Sequence, residues 1–214
     1  MVIVSPNSTT TLYTADKYNI TWNSNGTFPV RIRYSNDSGA TWKNITNVTS
    51  NDGAANKYEW TVPDEKIDTI VVNISDNRSS FTPLVTNLSQ AFWIKPNVTL
   101  SSPVAGLRVP ANDTTYPIRW NYTGTLVSDL TINYSLNDGQ DWYTIESAVP
   151  MTSNSTYTWN TWPSVPSGLV TTAKLRLIDN SDPRVNYTTG RFNITGNLIL
   201  KQPNGNENWK IGAT

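Results

Sequence analysis

The chain has 214 residues, with 16 Lys and Arg against 16 Asp and Glu, and it contains neither His nor Cys. The even charge argues against a nucleic-acid or anionic-membrane partner, since both demand a basic patch, and the missing His and Cys exclude the triads and dyads built on them, most zinc and copper sites and every disulfide. With 26 Asn, 20 Ser and 30 Thr, polarity rests on amides and hydroxyls, and the expectation is a protein that is not an enzyme.

No run approaches the roughly 18 consecutive apolar residues of a membrane span, and residues 1–7 lack the basic start and long apolar run of a signal peptide. No direct membrane insertion is expected. In chain order, the composition predicts short strands near residues 2–5, 18–22, 30–35, 42–46, 58–62, 69–76 and 90–94, separated by clusters of Asn, Asp, Gly, Ser and Pro. Val30, Ile32 and Tyr34 alternate with Arg31 and Arg33, a period of two that implies one buried and one wet face, as in an antiparallel sandwich. No segment carries a sustained period of 3.6 residues.

The pattern then repeats, with strands predicted near residues 98–101, 116–120, 130–135, 142–145, 156–160, 173–178 and 190–194. Trp22 recurs as Trp120, Tyr34 as Tyr134, Trp42 as Trp142, Trp60 as Trp159 and Phe92 as Phe192, at offsets of 98, 100, 100, 99 and 100. Pro6, Pro103 and Pro203 each follow a short β-like run. The predicted organisation is therefore one sandwich over residues 1–95, a second over 96–196, and the first strand and loop of an incomplete third over 197–214. The short link Ile94-Lys95-Pro96-Asn97-Val98, stiffened by Pro96, predicts a fixed mutual orientation and an extended rod. A first strand cannot bury an apolar face alone, so the third unit is expected to be completed by further chain or by another subunit.

Sixteen Asn open an Asn-x-Ser/Thr sequon: Asn7, Asn19, Asn25, Asn36, Asn44, Asn47, Asn73, Asn77, Asn87, Asn97, Asn112, Asn121, Asn133, Asn154, Asn186 and Asn193. That is more than twice what random placement of 26 Asn gives in a chain with 50 Ser and Thr among 214 residues. Asn19, Asn73, Asn133 and Asn193 each lie between two apolar residues within a predicted strand, so alternation turns them outward. Acceptors on outward strand positions suit a surface that carries N-linked glycan.

Between the third and fourth strands lies Ser35-Asn36-Asp37-Ser38-Gly39-Ala40-Thr41-Trp42, echoed by Ser135-Leu136-Asn137-Asp138-Gly139-Gln140-Asp141-Trp142. Asp and Gly supply the side-chain bonds and positive φ of a tight hairpin over which Trp folds back. The first copy resembles the Asp-box, Ser-x-Asp-x-Gly-x-x-Trp, a hairpin fastener of sialidases and other β-proteins. The eight Arg here are scattered singly, without the cluster a sialidase needs, so the motif is read as structural. Each whole repeat is similar to the Ig-like or fibronectin-III-like extracellular domain of the Ser/Thr-rich GPI-anchored membrane family of yeast wall proteins, and to repeats of large prokaryotic surface proteins. The similarity runs through Tyr18-Asn19-Ile20-Thr21-Trp22, Val30 to Ser35 with the hairpin to Trp42, Tyr58-Glu59-Trp60-Thr61-Val62-Pro63 and Phe92-Trp93-Ile94. The second copy departs at Asn160-Thr161-Trp162-Pro163, which delays the expected Pro. The resemblance implies an extracellular sandwich that spaces, displays or assembles, and it brings no catalytic residue.

Asn137-Asp138-Gly139-Gln140-Asp141 and Asp179-Asn180-Ser181-Asp182 offer oxygen ligands of the kind Ca²⁺ takes, but turn chemistry explains both, so no metal and no cofactor beyond covalent glycan is expected. Trp22, Trp42, Trp60, Trp120, Trp142 and Trp159 recur between repeats and are read as core or hairpin packing. Trp93 aligns with Asn193, Trp162 has no counterpart, and Trp209 falls in the third unit; these three are the candidates for sugar stacking or protein contact. The expected function is structural: a glycosylated extracellular repeat protein of a filament, sheath or cell-surface stalk, with itself as partner. A carbohydrate-binding or adhesive module, or an accessory segment of a larger secreted hydrolase, is the alternative.

Overall fold

A computed structural model describes residues 1–48, 51, 53, 55–78, 85–111, 113, 115–125, 127–151, 155–160 and 169–196. Trp162, Trp209, Asn112, Asn154 and the predicted third unit lie outside them. Two compact units divide the chain. The first joins Met1–Thr99 with the segments Asn121–Leu130 and Ile178–Tyr187; the second joins Leu100–Trp120, Thr131–Leu177 and the described chain from Thr188 onward.

The described residues contain strands and no helix. In the first repeat these are β1 (Val2–Ser5), β2 (Thr11–Tyr13), β3 (Lys17–Asn23), β4 (Val30–Ser35), β5 (Lys43–Val48), β6 (Asn56–Thr61), β7 (Ile67–Asp76), β8 (Thr86–Leu88) and β9 (Phe92–Lys95). The second repeat supplies β10 (Asn97–Ser102), β11 (Arg108–Pro110), β12 (Tyr116–Thr123), β13 (Leu130–Ser135), β14 (Tyr143–Val149), β15 (Thr156–Trp159), β16 (Val170–Asp179), β17 (Asn186–Thr188) and β18 (Phe192–Thr195). One sheet of the first repeat is ordered β1-β3-β6 and the other β2-β9-β7-β4-β5, with β8 on β7. The second repeat copies both orders, as β10-β12-β15 and as β11-β18-β16-β13-β14 with β17 on β16.

Two expectations are corrected. Among the described residues each repeat has nine strands where about seven are predicted, because β2, β8, β11 and β17 are three residues long and too short to display an alternation. The sheets are also not wholly antiparallel, since β2 pairs with β9, and β11 with β18, in parallel. Pro6 and Pro103 follow β1 and β10 and have no N–H to continue a ladder. Beyond each proline the chain therefore joins the opposite sheet.

Alternation does set the inward face. Val30, Ile32, Ile70, Val72, Ile74 and Ile94 are fully buried, and Trp22 and Trp60 lie among them. Tyr34 packs on Trp60 with ring centroids 5.4 Å apart, and Tyr134 on Trp159 at 5.7 Å, so the aromatic pair is conserved between the repeats in geometry as well as in spacing. Trp22 Nε1 donates to Oδ1 of the fully buried Asn51 at 2.8 Å, and Asn51 Nδ2 donates to the Gly26 carbonyl at 3.1 Å. Trp120 is equally buried, but its Nε1 has no partner among the described residues.

Candidate functional site

The two Trp hairpins use one framework with its chemistry rearranged. In the first, Ser35 Oγ accepts from the backbone N–H of Asp37 (3.2 Å) and Gly39 (2.8 Å) and donates to Asp37 Oδ1 (2.6 Å). The Asp37 carboxylate then accepts from Thr41 N (2.8 Å) and Thr41 Oγ1 (2.5 Å). These bonds from Ser35 and Thr41 hold its pKa at about 2. In the second, Ser135 Oγ accepts from Asn137 N (3.3 Å) and Gly139 N (2.8 Å), and Asn137 Oδ1 accepts from Asp141 N (2.9 Å). Asn137 Nδ2 donates to Asp141 Oδ2 at 2.7 Å. Asn has replaced Asp, Asp has replaced Thr, and donor and acceptor have exchanged ends. Gly39 and Gly139 have φ of +98° and +88°, and a Cβ on either would sit 3.4 or 3.2 Å from Cζ2 of its Trp.

A guanidinium lies over each of these Trp rings: Arg33 over Trp42 at 5.2 Å and Arg176 over Trp142 at 4.2 Å. Arg33 is on β4 and donates from Nη2 to Oδ1 of Asn73 on β7 at 3.2 Å. In the second repeat the two residue types have changed strands, with Asn133 on β13 and Arg176 on β16. Two sequon asparagines read as solvent-facing are nonetheless buried, Asn73 at 5 % and Asn133 at 7 % exposure. Alternation places them on the outer side of the sheet correctly. They sit on strands with neighbours on both flanks, however, and at Asn73 the side chains of those neighbours reach over it. Asn73 Nδ2 is further engaged by Thr86 Oγ1 (2.7 Å) and the Asn87 carbonyl (3.3 Å).

Asn7, Asn19, Asn25, Asn44, Asn47, Asn77, Asn121 and Asn186 are exposed, and Asn36, Asn87, Asn97 and Asn193 half-buried. Two of the half-buried group have local work: Asn36 Nδ2 donates to both Glu65 carboxylate oxygens (3.0 and 3.1 Å), and Asn87 Oδ1 accepts from Ile3 N (2.8 Å). Asn44 and Asn47 are three apart, a spacing that an ideal strand sends to opposite faces. A register shift intervenes, pairing Arg31 with Asn47, Ile32 with Thr46 and Arg33 with Asn44, so both asparagines share the outer face. Sequence alternation misses this because a bulge leaves no fixed signature.

Trp93 is half-buried and not bare. Lys95 Nζ lies 4.3 Å and Arg184 Cζ 4.6 Å from its ring centroid, and Lys95 Nζ donates to the Arg184 carbonyl at 3.1 Å. Arg184 donates to Asp182 (2.9 Å) and Asp68 (2.7 Å), and these bonds raise its pKa further above its ordinary value. The ring is thus occupied by cations rather than open for a sugar. Nearby, Asp179 is fully buried and pairs with Lys66, whose Nζ also donates to Ser181 Oγ. Ser128 Oγ (2.5 Å) and Ser181 N (3.0 Å) donate to Asp179 Oδ1. Burial alone raises this carboxyl, but Lys66, Ser128 and Ser181 together hold its pKa below the ordinary range. All of these residues belong to the first compact unit. Among the described residues no three His, Cys, Asp or Glu side chains gather in a way that would hold a metal ion.

No protein-family profile and no curated protein matches the sequence. The likeness to the Ser/Thr-rich GPI-anchored family and to the Asp-box therefore rests on the residues quoted above. Among solved structures the chain is similar to fibronectin(III)-like modules of CbhA from Clostridium thermocellum, at 15% identity over 91% of this chain and 92% of that one, with a TM-score of 0.28. It is also similar to a chimeric titin Z1Z2-Z1Z2 tandem (13% identity, 92% and 98% coverage, TM-score 0.31) and to the titin Ig tandem A164-A165 (14%, 87% and 92%, 0.28). The described chain is all-β, with one three-stranded and one six-stranded sheet in each repeat.

Proposed function

We propose that this chain is a structural, N-glycosylated extracellular repeat protein, part of a filament, sheath or cell-surface stalk, that works with further copies of itself and needs no metal or soluble cofactor. The observation that carries this reading is the set of eight exposed sequon asparagines, most of them at turns and strand ends or on β5, an edge strand of its sheet. Glycan on an edge strand blocks the unpaired N–H and C=O groups that would otherwise recruit another strand. Supporting it are hairpins locked by reciprocal side-chain bonds and a polar surface built from amides and hydroxyls. Electron microscopy of the natively isolated particle tests the reading. Regular filaments or sheets with density projecting from the exposed asparagines are expected, and discrete monomers would overturn it.

A further inference from the structure

The outer face of β4 and β5 holds chemistry that the hairpin does not use. Arg31 and Arg33 are two apart on β4 and share that face, and among the described residues neither is paired with a carboxylate. Arg78, Arg184 and Arg191 each have an aspartate partner. Side-by-side guanidinium groups repel, and the Arg33 pKa is lowered by burial first and by the Arg31 charge second. Directly across the ladder from Arg31 are Asn47 on β5 and Ser75 on β7; Ser75 is 5 % exposed. Its Oγ, like Nε of Arg31 and of Arg33, has no hydrogen-bond partner among the described residues. The face is therefore cationic, underused in hydrogen bonding, and bordered by the Trp42 ring.

Both exposed sequons of β5 are in register with this pair, Asn47 opposite Arg31 and Asn44 opposite Arg33. Cβ atoms of such cross-strand neighbours are about 5 Å apart, so a first sugar on either Asn lies against the adjoining guanidinium. The second repeat is an internal control. By the Tyr34/Tyr134 and Trp42/Trp142 correspondence, Thr131 and Asn133 stand for Arg31 and Arg33, and Thr144 and Ser147 for Asn44 and Asn47. Arginine pair and β5 sequons are present together in one repeat and absent together in the other.

We propose that this face seats the chain's own glycan: a carboxylate-bearing N-linked sugar chain on Asn47, with Asn44 beside it, folds back onto Arg31 and Arg33. The inference rests on the glycosylation reading above. The linkage is a bond from Asn Nδ2 to the sugar C1, formed from a phosphate-activated saccharide donor whose phosphate leaves as Nδ2 loses a proton. Once attached, the sugar's carboxylate accepts from the guanidinium forks and relieves their mutual repulsion.

The test compares wild type, Arg31→Gln, Asn47→Gln and the double variant, each made in a host whose N-glycans end in a carboxylate sugar and in bacterial cytosol without N-glycosylation. Glycopeptide mass reads Asn47 occupancy, and thermal unfolding reads the coupling. The expected result is an occupied Asn47, with Arg31→Gln lowering the Tm of the glycoprotein by about 4 °C more than that of the bare protein. Asn47→Gln should abolish that difference. Arg31→Lys keeps the charge and loses the fork, so it should give a smaller loss, and it serves if Arg31→Gln does not fold. An unoccupied Asn47 overturns the glycosylation reading at this site and the seat with it. An occupied Asn47 with equal Arg31→Gln effects in both proteins overturns the seat alone.

Discussion

Trp22→Ala is expected to cost about 4–5 kcal/mol of unfolding free energy, among the largest losses any single substitution in the first repeat should produce. Trp22 is 1 % exposed in a core of Ile20, Ile32 and Ile74, and removal of an indole leaves a cavity that β-branched neighbours, stiff at χ1, fill poorly. The same change strands the fully buried Asn51 by removing the donor to its Oδ1, which adds about 1–3 kcal/mol of unpaired polar burial to that end of the range or beyond it. Trp120 separates the two contributions. It is as buried but its Nε1 donates to nothing among the described residues, so Trp120→Phe should cost less than Trp22→Phe. Denaturant titration followed by Trp fluorescence reads both. Equal losses for the two Phe variants would show that the Asn51 bond contributes nothing.

Lys66→Ala should be nearly as damaging, at about 3–5 kcal/mol, because it leaves the Asp179 carboxylate buried without its counter-charge. Asp179→Asn removes the charge and keeps most of the shape, so it should be milder, and the pair of substitutions together milder than Lys66→Ala alone. Acid separates the charged form from the merely polar one. The Asp179 pKa is lower in the fold than in the unfolded chain, where an Asp titrates near 3.9. On acidification the unfolded chain therefore takes up the proton first. The pair's stabilisation is complete above about pH 5 and drains away as pH falls through 4 toward the folded value. Asp68, Asp76, Asp113 and Asp182 are lowered likewise, so the whole molecule should weaken in acid. With no His and no Cys, stability between pH 5 and 8 should be flat. A gap between wild type and Asp179→Asn that stays constant from pH 7 to pH 3 would contradict this account.

What the residues disclosed, and what they hid, follows from how far a contact reaches along the chain. The Trp, Tyr and Phe recurrences identified a repeat because Trp22, Trp60, Trp120, Trp159, Phe92 and Phe192 occupy core positions whose size is set by their neighbours, and the alternation from Val30 to Tyr34 matched the burial of β4 residue by residue. The hairpin was readable for the same reason: Ser35, Asp37, Gly39 and Thr41 bond within six residues of one another. Asn73 misled because alternation reports a side of the sheet, whereas exposure on that side depends on Arg33 and Thr86, which are distant in sequence. The surroundings of Trp93 are only half legible: one cation over its ring is Lys95, two positions on, but the other is Arg184, 91 positions away. The Asn44 and Asn47 alignment depends on a bulge that neither residue announces.

Burial therefore sorts the fourteen sequons among the described residues in a way their sequence cannot. Site-resolved glycopeptide mapping of the natively isolated protein measures it directly. Occupancy is predicted at most of Asn7, Asn19, Asn25, Asn44, Asn47, Asn77, Asn121 and Asn186, with Asn73 and Asn133 unmodified. An intact mass equal to the bare 23.8 kDa of this chain, or glycan on Asn73 and Asn133 with the exposed eight empty, would contradict the account.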